Sequence, residues 1–357
     1  MTRNGKKKSL FFGITSRTLM TISASMLIIS YLSMYVNPAK AWFMTIFGLL
    51  FLPFLLCNLI LFLWAIWRRS RAVVIPLIAL VPAMLLLGKF FRFTGHEPEP
   101  AEGIKIVSYN VGRFQLSQDG LDLEACTDSV MSFLRTEDAD IICLQEFYMK
   151  DSDKVMSSLS RRMKGYDIKY FVNVNEHGCY GNVTLSRYPA LAKGRIAFDH
   201  SSNMALYSDY SIGGERIRVY NCHFESYNIS LSRLAASMEK DYRKTFRDTE
   251  EKMRKSIVRR PRQVDQVLKD IRQCTENVIV AGDFNDTPMS YTYWALSRSR
   301  KDSFEEAGHG SGATFARLSP FLRIDYILFP EAYTALTHNV IHKSFSDHYP
   351  IEAIISL

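Results

Sequence analysis

The sequence predicts an α/β (α+β) protein in which two mostly antiparallel sheets, flanked by helices, follow three membrane-spanning helices. Three observations lead there. Residues 1–96 hold eleven Lys/Arg, no acid and three long apolar runs. From Glu97 onward acids appear and hydropathy falls. In that remainder, short β-type runs mix with helical patterns without the regular alternation of a barrel. Charge follows the same division. The 357 residues include 44 Lys+Arg and 36 Asp+Glu. Beyond residue 96 there are 33 bases and 36 acids, a balance of −3. The overall +8 is therefore no argument for nucleic-acid binding. A charged fraction of 22% with 23 Phe and 18 Tyr excludes a disordered chain. Six Cys in this length exclude a disulfide-dense miniprotein.

The apolar runs lie at about 18–36, 41–67 and 72–91. A helix needs about 20 residues to cross the hydrocarbon layer. Lipid offers no partner for backbone polar groups, so these runs must be helical. Pro53, Pro76 and Pro82 are expected to kink them. Trp42, Trp64 and Trp67 fall near predicted ends, where indole favours the interface. Arg3, Lys6, Lys7, Lys8 and Arg17 precede or open the first run, and Arg68, Arg69 and Arg71 separate the second from the third. The intervening loop carries only Lys40. The positive-inside rule then puts the N-terminus in the cytoplasm, and three crossings put the rest outside it. Residues 1–94 thus read as an anchor in the lipid bilayer. Residues 95–103, with Gly95-His-Glu-Pro-Glu-Pro100, read as a polar linker. Residues 104–357 are enough for one sizeable core.

Within that domain, Ile104–Tyr109, Ile141–Leu144, Ile217–Cys222, Val278–Ala281, Ile324–Phe329 and Ile351–Ile355 read as strands. Helical patterns run over about 121–135, 153–163, 230–257 and 261–273, with Pro261 suited to a first turn. Leu234, Met238, Tyr242, Phe246, Met253 and Ile257 recur on one helical face, which reads as core packing. The region 240–262 is basic, with ten Lys/Arg against four acids. It reads as a solvated face or as a patch for anionic lipid headgroups or nucleic acid. Cys143 and Cys222 sit in predicted strands and read as buried packing.

One pattern repeats along the domain. An apolar strand runs out and a polar residue suited to metal or phosphate follows. Ile104–Tyr109 leads to Asn110, and Ile141–Leu144 leads to Gln145-Glu146. Val219-Tyr-Asn-Cys leads to His223, and Val278-Ile-Val-Ala-Gly leads to Asp283-Phe-Asn285. Asp325 opens one strand, and Asp347-His348 precedes the last. Strand ends hold side chains well, and the loops beside them make open pockets. The carboxylates and amides are hard oxygen donors suited to Mg²⁺ or Mn²⁺ rather than zinc. The two His can meet a phosphoryl oxygen or move a proton near neutral pH. A lone Asn110 would be a turn residue, and Asp283 with Asn285 can form an Asx-turn and still serve a site. Arg187 and Arg323 read as partners of nearby acids, and the remaining His as ordinary.

These segments resemble the endonuclease/exonuclease/phosphatase family, which includes deoxyribonuclease I. The carriers are Val107-Ser-Tyr-Asn110, Ile142-Cys-Leu-Gln-Glu146, Gly181-Asn-Val-Thr-Leu-Ser-Arg187, Asn221-Cys-His223, Gly282-Asp-Phe-Asn-Asp-Thr-Pro288, Arg323-Ile-Asp325-Tyr and Ser346-Asp-His348. They stand in the family's order across nearly all of residues 104–357. The resemblance implies a four-layered α/β sandwich with two central sheets. It implies Glu146 as main metal ligand, Asn110 beside it or on the phosphate, and Asp347 supporting the metal or the neighbouring His. His223 would contact the scissile phosphate, Asp283 orient or deprotonate the attacking water, and Asn285 hold a non-bridging oxygen. Asp325 would orient His348, which contacts the phosphate or acts as base. The implied function is a membrane-anchored, Mg²⁺- or Mn²⁺-dependent phosphoesterase. Its expected substrate is a phosphodiester in nucleic acid or a phospholipid headgroup. A phosphomonoesterase and an inactive scaffold are the alternatives.

Overall fold

Helices α1 (Arg3–Leu32), α2 (Phe43–Leu49), α3 (Phe51–Trp67) and α4 (Val74–Leu86) build the N-terminal quarter of the computed structural model. Residues 3–93, 102–114, 122–227 and 242–357 are described, with side chains from Gly13 onward. The linker expected at 95–103 therefore lies mostly outside the described residues. Gly13–Tyr35 and Arg71–Lys89 are long and apolar enough to cross a membrane. The expected middle span is not one straight helix: α2 and α3 meet at a 59° bend. Proline does not make that bend, which falls at Leu50. Pro53 and Pro76 stand at the third positions of α3 and α4. An N–H there has no intrahelical partner to lose, so these prolines open helices rather than kink them. Pro82 does lie inside α4. Buried Asn58 ties α3 to α1 by donating to the Ser23 carbonyl at 2.9 Å, a polar lock suited to an apolar bundle.

The domain strands are β1 (Phe91–Arg92), β2 (Ile104–Asn110), β3 (Ile141–Met149), β4 (Asp167–Asn175), β5 (Gly178–Ser186), β6 (Ala192–Ala197), β7 (Met204–Ile212), β8 (Glu215–His223), β9 (Asn277–Asp283), β10 (Lys301–Asp302), β11 (Gly310–Ser311), β12 (Asp325–Phe329), β13 (Thr334–Val340) and β14 (Ile351–Ser356). Two six-stranded sheets run β10-β12-β9-β8-β7-β6 and β13-β14-β2-β3-β5-β4. Each contains one parallel pair, β8–β9 and β2–β3, among antiparallel neighbours. The sheets bury Ile106, Cys143, Val219, Ile279, Ile327 and Ile351 against each other. Helices α5 (Leu123–Glu137) and α6 (Val155–Arg162) cover the outside of one sheet. Helices α7 (Tyr242–Ile271) and α8 (Tyr291–Ser297) cover the other, and short α9 (Ser303–Ala307) packs at its edge. The result is the expected four-layered sandwich. All six cysteines are free.

Edge strands β4, β6 and β13 escape a reading by periodicity. β6, with Ala192-Lys-Gly-Arg-Ile-Ala197, buries no residue, so no apolar alternation is demanded of it. Two expected helices, 230–257 and 261–273, are one continuous α7 over the described residues; positions 230–241, with Leu234 and Met238, lie outside them. Pro261 is inside the helix, not at its start. A proline there costs about 3 kcal/mol of intrinsic propensity. The buried stripe Ile257, Pro261, Val264, Val267 and Leu268 continues straight across it, and that packing outweighs the lost bond.

The N-terminal helices and the domain are joined by specific contacts. β1 pairs with β11, and Gly312 N–H donates to the Phe90 carbonyl at 2.9 Å. Lys89 Nζ lies 2.6 Å from Glu305 Oε1. Arg323 Nη1 donates to the Lys89 carbonyl at 3.0 Å. Ser33 Oγ donates to the Met289 carbonyl at 2.8 Å. The end of the first candidate span, the loop before α2 and the end of the last span thus face the domain. Met20, Ala65 and Ala72 pack together at the opposite end, beside the Arg68–Arg71 turn.

Candidate active site

Three residues form one row across three strands. His223 ends β8 opposite Asp283, which ends β9, and Asp283 faces Asp325 at the start of β12. The other sheet brings Asn110, at the end of β2, to the same end of the sandwich. Glu146 departs from the expected pattern, because it is not at a strand end. β3 runs on to Met149, and Gln145 and Glu146 together face the single residue Asn182 of β5. This is a β-bulge, with Glu146 at φ 52° in the left-handed region. A bulge re-aims side chains at the cost of local backbone strain. Gln145 turns between the sheets and donates to Asn221 Oδ1 at 2.8 Å. Asn221 in turn donates to the Leu144 and Val183 carbonyls. Glu146 turns into the cleft.

Asp283 is the hub. Its Oδ2 accepts from Asn110 Nδ2 at 2.9 Å and from Asn285 Nδ2 at 3.0 Å. Its Oδ1 accepts from the Asn285 backbone N–H at 2.8 Å, the Asx-turn that the spacing suggests. His348 Nε2 and His223 Nε2 each lie 3.8 Å from Asp283 Oδ2. His223 Nε2 is also 3.7 Å from Glu146 Oε1. His348 Nδ1 is 3.0 Å from Asp325 Oδ2. Asp347 sits half-buried beside them, while the neighbouring Ser346 hydroxyl donates to the Asn110 carbonyl at 2.8 Å. All eight residues singled out from the sequence therefore meet at one end of the sandwich.

Electrostatics follow from burial and these neighbours. Burial raises the Glu146 carboxyl, against the pull of His348 and Arg113. Burial likewise pushes Asp283 up to about 6. His223 is lowered by burial, despite Asp283 beside it. His348 goes the other way: burial alone would lower it, but Asp325 and Asp283 outweigh burial and raise it to about 10. His223 is thus neutral and His348 protonated around pH 7, although both rings face carboxylates.

A polar cleft of about 180 Å³ opens over Glu146 and His223, also lined by Arg113, Tyr180, His200 and Glu225. The sequence reading did not single out Arg113, Tyr180 or Glu225, and it treated His200 as ordinary. Arg113 has φ 58°. Its guanidinium lies 4.8 Å from the Tyr180 ring centroid, and its Nε is 3.6 Å from Glu146. The one local signal was Gly112 before it, a residue suited to the left-handed turn found there (φ 54°). Arg187 pairs with Asp138, and Arg323 forms a buried pair with Asp302, as expected of them.

The donor set suits a divalent cation. His223 Nε2 and Asp325 Oδ1 are buried without a hydrogen-bond partner. Such orphaned atoms are costly unless something occupies the space before them. Asp283, Asp325 and His348 offer ligand atoms all within 4.8 Å of one another. His348 is already bonded to Asp325 and holds its proton, and both Asp283 oxygens already accept from Asn110 and Asn285, so the Glu146 carboxylate, turned into the cleft, is the better donor.

Comparison with known proteins agrees with this geometry. The Endonuclease/Exonuclease/phosphatase family profile matches residues 107–348, and a domain of unknown function (DUF8431) matches residues 8–90. No curated protein matches the chain. Similar solved structures include an endonuclease/exonuclease/phosphatase from Bacteroides vulgatus, 17% identical over 72% of this chain and 100% of that one, TM-score 0.53. D. rerio TDP2 complexed with single strand DNA product is 19% identical over 72% and 100%, TM-score 0.51. Bacteroides thetaiotaomicron mannosyl-6-phosphatase is 16% identical over 71% and 100%, TM-score 0.50. These likenesses establish the fold, and the profile spans about two thirds of the sequence, from the strand of Asn110 to His348. The chain belongs to the endonuclease/exonuclease/phosphatase family.

Proposed function

We propose that this protein is a membrane-anchored phosphoesterase that uses Mg²⁺ or Mn²⁺ to hydrolyse a phosphodiester by water attack. The observation that carries the reading is the unpartnered His223 Nε2, 3.7–3.8 Å from carboxylate oxygens of Glu146 and Asp283 at the foot of an open polar cleft. Glu146 would hold the cation, with Asn110 and Asp347 in support. When bound, such an ion neutralises phosphoryl charge and lowers the pKa of a water. Asp283, pushed up to about 6, is a base with useful strength near neutral pH. Asn110 and Asn285 hold it in one orientation through their amides. Neutral His223 can donate to a phosphoryl oxygen through its free ring nitrogen. Asp325 keeps His348 protonated, so the imidazolium can stabilise charge on the phosphate or leaving oxygen.

The anchored reading draws on the contacts at the helix ends. Because Ser33 and Lys89 both meet the domain, the chain between them must leave that side and return. The Arg68–Arg71 turn then lies on the far face, which the positive-inside rule makes cytoplasmic, and the domain is extracytoplasmic. The fold itself does not choose the substrate: one neighbour is complexed with a single strand DNA product and another is a mannosyl-6-phosphatase.

Purified full-length protein should hydrolyse a chromogenic phosphodiester with Mg²⁺ or Mn²⁺ and stop with chelator. Glu146→Gln should lower kcat about 100- to 1,000-fold. Turnover that survives chelation, or a Glu146→Gln enzyme with unchanged rate and metal demand, would sink the proposal. Parallel assays on single-stranded DNA, RNA, sphingomyelin and a phosphomonoester separate the substrate classes.

A further inference from the structure

In the first half of α7 no described side chain is fully buried, and only Thr245, Thr249 and Met253 are half-buried. Ser256, Ile257 and the stripe beyond them are buried on the sandwich, but none of residues 242–255 is buried. Those fourteen residues make about 21 Å of helix. A helix of that length without a packed face is marginal in water. Tyr242 and Phe246, one turn apart, are 59% and 60% exposed, and their rings stack with centroids 6.3 Å apart. The sequence reading of this face as core packing therefore does not hold for Tyr242 and Phe246, because no described residue covers their rings as the sandwich covers Ile257 and Val264.

The direction of this segment comes from Arg254, whose guanidinium lies 6.0 Å over the ring of Trp42. Trp42 is the residue just before α2, in the loop that follows the first candidate span. At about 100° per residue, Arg243 and Arg247 share a stripe with Arg254, and all three are exposed. Tyr242 and Phe246 flank that stripe. The segment 242–255 holds six Lys/Arg against three acids. A basic stripe edged by aromatics, on the side of a loop tryptophan, matches an interfacial helix. Its charge complements anionic headgroups.

We infer that residues 242–255 dock on the surface of an anionic phospholipid bilayer. Arg243 and Arg247 meet lipid phosphates, and the Tyr242–Phe246 pair sits at the headgroup boundary. This contact sets the tilt of the sandwich, and with it the aspect of the catalytic cleft toward the membrane. The inference rests on the anchored reading above, which supplies the nearby bilayer.

The test uses the full chain in nanodiscs of phosphatidylcholine, alone or mixed with phosphatidylglycerol. Hydrogen exchange over 242–255 should be about tenfold slower with phosphatidylglycerol. High salt or the double variant Arg243→Glu/Arg247→Glu should abolish the difference while turnover of a soluble diester stays unchanged. Equal exchange in the two lipids, or protection that persists in the double variant, overturns the inference. So does protection conferred by a single-stranded oligonucleotide and not by phosphatidylglycerol. The anchored reading fails separately if the chain stays soluble without detergent and α1 and α4 exchange alike with and without lipid. In that event, sedimentation of the soluble chain with phosphatidylglycerol vesicles still decides the docking surface: loss of binding in the double variant supports it, and no binding by the native chain overturns it.

Discussion

Ser33, just past the end of α1, donates a hydrogen bond to the carbonyl of Met289, which follows Asp283 and Asn285 on the same loop. The N-terminal helices therefore touch the loop that leaves the row of His223, Asp283 and Asp325. Gly48 presses on the same carbonyl, where an added Cβ would stand 2.4 Å from Met289 O and 2.6 Å from Ser33 Oγ. The approach is possible only because residue 48 has no side chain.

Perturbing this contact should act on both stability and turnover. Ser33→Ala removes the buried hydroxyl, which the Ser30 and Met289 carbonyls share at 2.6 and 2.8 Å, and should cost about 1 kcal/mol. Gly48→Val must push α2 from the loop, and overpacking of this kind costs about 1–3 kcal/mol. The thermal midpoint in detergent should fall for each, more for Gly48→Val. That variant should also lose kcat on a soluble diester. Unchanged midpoints would show that the contact carries no energy.

Arg323 is buried, bonds both Asp302 oxygens at 2.5 and 2.6 Å, and reaches back to the Lys89 carbonyl. Arg323→Met should be destabilising by about 3–5 kcal/mol, because it leaves Asp302 buried and unpaired. Replacing both, as Arg323→Met with Asp302→Leu, should recover part of that loss. Chemical denaturation of the three proteins measures the difference, and a double variant no better than the single one would contradict the argument.

The His348–Asp325 pair makes stability depend on pH with a defined sign. The folded pKa of His348 is raised to about 10, above the ~6.5 of an unfolded imidazole. Its stabilisation is full below about 6.5 and is lost as pH rises toward 10. In chelator, the unfolding midpoint of the native chain should exceed that of His348→Gln most near pH 6. The gap should close toward pH 10. Asp283, at about 6, titrates below that window. A gap that widens with pH would mean that His348 is neutral in the folded protein.

Much of the site was legible because its residues follow apolar runs closely. Asn110, His223, Asp283 and Asp325 all sit at strand termini, as their spacing suggests. Glu146 was found by the same rule for a different reason. Its place depends on a bulge opposite Asn182, and a bulge exists only in relation to the partner strand. Arg113 and Tyr180 were not legible, since their contact joins positions far apart in the chain through a left-handed turn. Pro261 misled, because a local signal for a helix start was overridden by packing on both sides of it.

Hydropathy and strand-end chemistry, which are sums over short windows, determined from the sequence alone that an apolar helical quarter precedes a sandwich with an acid- and imidazole-rich end. The tertiary structure alone decided that Ser33 meets Met289, that Glu146 turns into the cleft, and that burial on α7 begins only at Ser256, with Tyr242 and Phe246 exposed. These outcomes depend on contact between distant segments, where pairing register and packing carry energies that no local window contains.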